Sequence, residues 1–98
     1  MNIEKSKDGG RLTLKMAGRL DTNTSPELES ELKFDGVSEA VFDFSGLEYI
    51  SSAGLRVLMA AHKAMAAAGG TMKIVHPNAM VLGVLEITGL NSVFAVEA

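Results

Sequence analysis

The chain has 98 residues and a mass of 10.3 kDa, which corresponds to one domain spanning residues 1–98. Nine Lys and Arg against twelve Asp and Glu give a net charge of −3, so no basic stripe is present to bind nucleic acid. The absence of Cys excludes disulfides, thiolate nucleophiles and Cys-ligated metal sites. Residues 1–8 lack the apolar core of a signal peptide, and no apolar stretch approaches the roughly eighteen residues of a membrane span. We therefore expect a cytoplasmic protein that does not insert into a membrane.

The N-terminal part predicts a β-hairpin. Residues 3–7 have weak strand character, residues 8–10 read Asp-Gly-Gly, and residues 12–16 alternate between apolar and polar side chains. We expect the chain to leave the second strand at residues 18–21.

A short helix is predicted next. Thr24 can cap its start, Pro26 falls in its first turn, and Glu27 follows the cap by three residues. Leu28 and Leu32 lie one turn apart and are expected to form its buried side.

The centre of the chain predicts a buried strand and a long helix. Residues 40–44 are a compact apolar segment, residues 45–50 are interpreted as a loop, and Ser51 or Ser52 is expected to cap a helix that ends at Gly69-Gly70. Four residues have the spacing of a buried helical stripe: Leu55, Leu58, His62 and Met65.

The remainder predicts a strand over 71–75, a helix that begins after His76-Pro77-Asn78 and ends before Gly89, and a final strand over 93–96. Strand alternates with helix from the middle of the chain onward. This order predicts an α/β domain with a mixed, mostly parallel sheet and helices packed on it.

The usual arrangements of catalytic residues are missing. Ser52 follows a strand, but its surroundings do not match a nucleophile elbow, and His62 lies about 15 Å away along the same helix. No phosphate-binding glycine motif is present. Asp21 and Asp43 could form a Mg²⁺ pair, but Asp43 is better interpreted as a strand-end residue that holds the following loop by hydrogen bonds. We expect no enzymatic activity, no cofactor and no metal.

The start of the long helix has two interpretations. Ser is among the best residues for capping a helix, so Ser51 and Ser52 can have a structural role alone. A helix N-terminus also accepts a phosphate readily, so phosphorylation of a serine there would change the surface charge without breaking the helix.

The segment from Phe42 to Leu58, FDFSGLEYISSAGLRVL, is similar to the signature of bacterial anti-sigma factor antagonists, the STAS domain family. Residues 18–22 and 25–28 resemble a second block of that family, and the resemblance covers nearly the whole chain. It implies the same order of strands and helices.

The resemblance implies that the protein binds an anti-sigma factor that is also a serine kinase, and so releases a sigma factor. In this family the kinase phosphorylates a serine at the start of the helix after the central strand, the phosphoprotein dissociates, and a PP2C-type phosphatase restores it. Alignment with the family pattern Asp-Ser-(Ser/Thr)-Gly-Leu places Ser52 on the phosphorylated serine and Ala53 on the Ser/Thr. Ser51 stands where the family usually has Asp, and Asp21 matches an acidic residue near the same surface.

The implied partner-binding surface combines this helix start with the 45–50 segment. Its candidate residues are Asp21, Ser51, Ser52, Ala53, Gly54, Arg56 and Val57. Because Ala53 and Gly54 are small, we expect that a partner's backbone can approach them closely. An alternative within the family is a constitutive, non-catalytic subunit, for example of a bacterial lipid-transport ABC complex, in which Ser52 is only a cap.

Overall fold

The computed structural model describes residues 1–98 and contains five β-strands, three α-helices and one short 3₁₀ helix. In chain order these are β1 (Asn2–Asp8), β2 (Arg11–Leu20), α1 (Ser25–Ser30), β3 (Glu39–Ile50), α2 (Ser52–Ala67), β4 (Thr71–Val75), α3 (Ala79–Ile87), the 3₁₀ helix (Leu90–Ser92) and β5 (Ala95–Glu97). None of the helices is both long enough and apolar enough to cross a lipid bilayer.

The strands form a single sheet in the order β1-β2-β3-β4-β5. β1 and β2 are antiparallel and are joined by a tight turn at Gly9, whose φ of 60° suits glycine. The other three strand pairs are parallel, as their helical connections require. The predicted α/β class and the mixed, mostly parallel sheet are therefore confirmed.

The hydrophobic core lies on one face of this sheet. Every second residue is buried over 12–16 of β2 and 40–44 of β3, and the alternation is interrupted further along, where the register of the two strands shifts. The buried apolar residues of both strands on this face join apolar side chains of α1, α2 and α3 in one cluster of 21 residues. Val41 is buried but does not belong to that cluster, because it lies between Ala40 and Phe42 and so points to the opposite face. The three helices therefore cover the same side of the sheet.

The interpretation of residues 45–50 as a loop was wrong. β3 continues to Ile50 and pairs with β2, which does not end at Gly18 but runs on to Leu20. Gly46 makes the pairing possible, since a Cβ there would lie 3.0 Å from both the Met16 carbonyl oxygen and the Ala17 Cβ. The ends of β2 and β3 provide each other's backbone hydrogen-bond partners, and this pairing between distant segments cannot be predicted from a local sequence pattern.

Other boundaries differ by smaller amounts. α1 ends at Ser30, so Leu32 lies beyond the helix and is only partly buried against the core. The final strand covers Ala95–Glu97 rather than 93–96. The buried stripe of α2 consists of Gly54, Val57, Leu58, Ala61 and Met65, and of the four predicted positions Leu55 and His62 are only half-buried.

Candidate functional site

The three helices begin at one edge of the sheet. Because β2, β3 and β4 are parallel, their carboxyl ends point the same way. β2 and β3 end level with each other, whereas β4 ends opposite Asp43, and the segment that follows β4 reaches Leu47 and Glu48 of β3. We call residues 21–24, 51–52 and 76–78 the carboxyl edge. A hydrogen bond of 2.9 Å from the Ser51 N–H to the Leu20 carbonyl joins the 51–52 segment to the last residue of β2.

Ser51 is the cap of α2. Its backbone is extended, and its Oγ accepts a hydrogen bond of 3.4 Å from the N–H of Gly54. Its own carbonyl accepts the N–H of Leu55, the first hydrogen bond of the helix. The Ser51 side chain therefore has a structural role at the start of α2.

Ser52 is the first residue of α2, and its side chain is not used by the fold. The residue is exposed, and its hydroxyl makes no hydrogen bond with the rest of the chain. The N–H groups of a helix's first turn have no partners inside the helix, so this hydroxyl lies in the region of positive potential at the helix start. The Ser51 hydroxyl oxygen is thus occupied by the cap, whereas the Ser52 hydroxyl is free to contact another molecule.

Asp21 organises the turn between β2 and α1. Its Oδ1 accepts hydrogen bonds from the N–H groups of Asn23 and Thr24, at 3.0 and 3.1 Å. These backbone donors, that of Thr24 foremost, lower the pKa of Asp21 below its usual 3.8, although burial opposes them. The expected cap, Thr24, makes no side-chain cap bond; its Oγ1 accepts from the Asp21 N–H and donates to the carbonyl of Arg19.

A cleft of about 390 Å³ lies between α1 and α2, and Ala53, the residue after Ser52, is part of its lining. Its lining residues are Thr22, Ser25, Pro26, Glu29, Ala53, Arg56, Val57 and Ala60. Val57 is buried and contributes to the floor, whereas Glu29 and Arg56 are exposed and stand on different helices. The cleft therefore has a base that includes the buried side chains of Val57 and Ser25, with an acidic residue on the α1 side and a basic residue on the α2 side.

Gly54 was expected at the partner-binding surface, but it is buried against the sheet. A Cβ there would lie 2.7 Å from Leu20 Cγ and 3.0 Å from Ile50 Cγ1. The close approach that its size permits is made by the chain's own core, so the expectation that a partner's backbone approaches Gly54 is not supported. Ala53, on the other hand, is partly accessible and lines the cleft.

Asn78 is a residue of the carboxyl edge that the sequence did not single out. Its Oδ1 caps α3 by accepting the N–H of Val81 at 2.8 Å, and its Nδ2 donates to the carbonyls of Leu47 and Glu48 at 3.1 and 3.4 Å. A single side chain thereby ties α3 to the extended end of β3. An Asn after His-Pro and before an apolar helix signals the cap, but nothing local signals the link to β3.

His62 and Asp43 lie inside α2 and β3, away from their ends, whereas His76 belongs to the carboxyl edge and has a left-handed φ of 57°. His62 is half-buried in the middle of α2, with its ring 6.0 Å from that of Phe94, as expected for a residue at the border of the core. Asp43 lies inside β3 rather than at its end, and it accepts the N–H of Ser45 at 2.9 Å. Burial raises the pKa of Asp43, but the bonds from Ser45 and the charges of His76 and Lys15 lower it overall.

Comparison with known proteins places the chain in a family. The family model of the STAS domain matches residues 2–98. A protein of Bordetella bronchiseptica named as a candidate anti-sigma factor antagonist, BtrV, is 32% identical over 98% of this chain and 85% of its own length.

Two solved structures show the same fold. The crystal structure of a candidate anti-sigma factor antagonist from Thermotoga maritima has a TM-score of 0.90 at 22% identity, covering 98% of this chain and 86% of that one. The Bacillus cell fate determinant SpoIIAA in its phosphorylated form has a TM-score of 0.78 at 14% identity, covering 99% and 92% of the two chains. The protein belongs to the STAS domain family.

Proposed function

We propose that the protein is an anti-sigma factor antagonist regulated by phosphorylation of Ser52. Through its carboxyl edge it binds an anti-sigma factor that is also a serine kinase, and the sigma factor is released. The kinase then phosphorylates Ser52, the complex dissociates, and a PP2C-type phosphatase restores the binding form. The protein itself is a non-catalytic regulator, and its place of action is the cytoplasm.

One observation carries this proposal: Ser52 is exposed and unbonded at the first residue of α2, while Ser51 supplies the cap. A hydroxyl in that position can receive a phosphoryl group without any loss of native hydrogen bonds. The phosphate then meets the partial positive charge of the helix start, so the fold survives the modification. The names of BtrV and of SpoIIAA in its phosphorylated form support the same assignment.

Dissociation follows from the charge of the phosphate. Phosphorylation adds about −1.5 to −2 charges at neutral pH. In a closed interface such a group loses water and meets any acidic side chain opposite it, which can cost several kcal/mol when it is unpaired. A loss of about 3 kcal/mol already lowers affinity more than a hundredfold.

The proposal is tested in two stages. The tagged protein is first purified from its host, and the anti-sigma factor that accompanies it is identified by mass spectrometry and produced in pure form. Calorimetry then gives its affinity for the wild type, Ser52→Ala, Ser52→Asp and the control Ser6→Asp, which adds the same charge at an exposed position of β1.

We expect the wild type, Ser52→Ala and Ser6→Asp to bind alike and Ser52→Asp to bind at least tenfold more weakly. Equal binding by all four proteins would refute the switch. Recovery of transporter subunits in place of an anti-sigma factor would favour the constitutive subunit instead.

A further inference from the structure

Arg56 is an uncommitted cation beside Ser52. It lies four residues further along α2, it is exposed, and it takes part in none of the four ion pairs of the structure. The other nearby arginine, Arg19, is already engaged: its Nε is 3.8 Å from Asp21 Oδ2, and its guanidinium lies 4.1 Å from the centre of the Tyr49 ring.

The spacing of Ser52 and Arg56 places both side chains on the same face of the helix. Residues four apart are neighbours on a helix surface, and an anion that precedes a cation by four residues is the favourable orientation. The guanidinium group also matches a phosphate better than any other side chain, because it can donate two parallel hydrogen bonds. A phosphoserine at 52 would therefore have a suitable partner within its own helix.

Arg56 also lines the α1–α2 cleft, where the other charged residue is Glu29 of α1. No ion pair joins Arg56 and Glu29. The guanidinium is thus available to a carboxylate that a partner places over the small side chains of Ala53 and Ala60. A partner's carboxylate and a phosphate on Ser52 would compete for this one guanidinium, so an ion pair with either anion weakens the ion pair with the other.

We infer that the guanidinium of Arg56 changes its ion-pair partner when Ser52 is phosphorylated. In the unmodified protein Arg56 pairs with an acidic side chain of the anti-sigma factor at the cleft. In the phosphoprotein the phosphate at Ser52 binds the guanidinium and withdraws it from the partner. Phosphorylation then weakens the complex in two ways, by adding negative charge and by removing the cation. This inference rests on the proposed function for the identity of the partner.

The intramolecular half of the inference is tested without any kinase. Phosphoserine is incorporated at position 52 during translation, in the wild type, in Arg56→Gln and in Lys63→Gln, which removes an exposed cation from the middle of the same helix. The second pKa of the phosphate is followed by ³¹P NMR. We expect Arg56→Gln to raise it by about 0.5 unit and Lys63→Gln to leave it within about 0.1 unit. Equal values in the wild type and Arg56→Gln would overturn the inference.

The partner half is tested by a double-mutant cycle with the purified anti-sigma factor. Arg56→Gln is expected to weaken binding at least tenfold in the unmodified protein and less than threefold in the protein with phosphoserine 52, whereas Lys63→Gln changes neither. An equal loss in both backgrounds would overturn the inference even if Ser52 is a kinase substrate. Failure of the host to supply an anti-sigma factor would refute the proposed function while leaving the ³¹P result standing.

Discussion

Two adjacent serines occupy different environments in this protein: Ser51 is hydrogen-bonded and Ser52 is exposed. The sequence shows only that a cap is needed at Ser51 or Ser52, because either residue can precede a helix. The structure assigns the cap to Ser51 and leaves the Ser52 hydroxyl exposed. The start of α2 is therefore set by the Ser51 side chain, which accepts the N–H of Gly54.

The division between the two serines predicts different stabilities. Ser51→Ala removes the acceptor for the Gly54 N–H and is expected to lower the free energy of unfolding by about 1 kcal/mol. Ser52→Ala removes no hydrogen bond and should change it by less than about 0.5 kcal/mol. Urea denaturation followed by circular dichroism measures both values. A larger loss for Ser52→Ala than for Ser51→Ala would contradict the assignment of the cap.

Asp21 predicts a dependence of stability on pH. Because its folded pKa lies below its usual 3.8, its contribution is fully present above that value and is lost as the pH falls through the folded pKa. Asp21→Asn keeps an acceptor oxygen but cannot titrate. We therefore expect this variant to lose less stability than the wild type when the pH is lowered from about 5 to about 2.5.

The control for Asp21 is Asp8→Asn, which alters an exposed carboxylate that accepts no hydrogen bond. Urea midpoints at several pH values compare the three proteins. If Asp8→Asn flattened the pH profile as much as Asp21→Asn does, the turn hydrogen bonds would not be the cause.

At the scale of elements, the long β3 strand is the main feature that the sequence did not reveal. Residues 45–50 include Ser, Gly and Glu and have the composition of a loop. They form strand because β2 runs alongside them to Leu20 and because Gly46 lets the two backbones come close. Helices α2 and α3, by contrast, could be predicted from their caps and apolar periodicity, which are local properties.

Two glycines within helices predict opposite effects of the same substitution. Gly54→Ala would drive a methyl group into Leu20 and Ile50, and it is expected to destabilise the protein by about 1–3 kcal/mol. Gly83 lies inside α3, and a Cβ added there would meet nothing within 4 Å, so Gly83→Ala should stabilise by about 0.5–1 kcal/mol. Thermal unfolding of the two variants and the wild type measures both changes in stability. A stabilising effect of Gly54→Ala would contradict the prediction, because it would show that α2 can move away from the sheet.

At the scale of the whole molecule, the order of strands creates the candidate site. Parallel strands with helical connections place the start of each helix at the carboxyl end of a strand, and the alternation of strand and helix predicts this arrangement. The sequence alone could not predict which side chains join the edge together. Asn78, which ties α3 to the end of β3, and the cleft between α1 and α2 depend on packing between distant segments.

The proposed function predicts that the partner binds at the carboxyl edge. Addition of the anti-sigma factor to ¹⁵N-labelled protein should shift the amide signals of residues 21–24, 51–56 and 76–78. The cleft at the other end of α2, lined by His62, Thr71 and Phe94, serves as the internal control and should be unaffected. Chemical-shift changes confined to that second cleft would contradict binding at the carboxyl edge.

Mapping the phosphorylation site tests the central claim most directly. The wild type, Ser51→Ala and Ser52→Ala are each incubated with the anti-sigma factor and ATP, and the phosphopeptides are sequenced by mass spectrometry. The proposal predicts a single phosphate on Ser52, retained in Ser51→Ala and absent from Ser52→Ala. A phosphate on Ser51 or elsewhere, or none with a kinase that is active on another substrate, would contradict it.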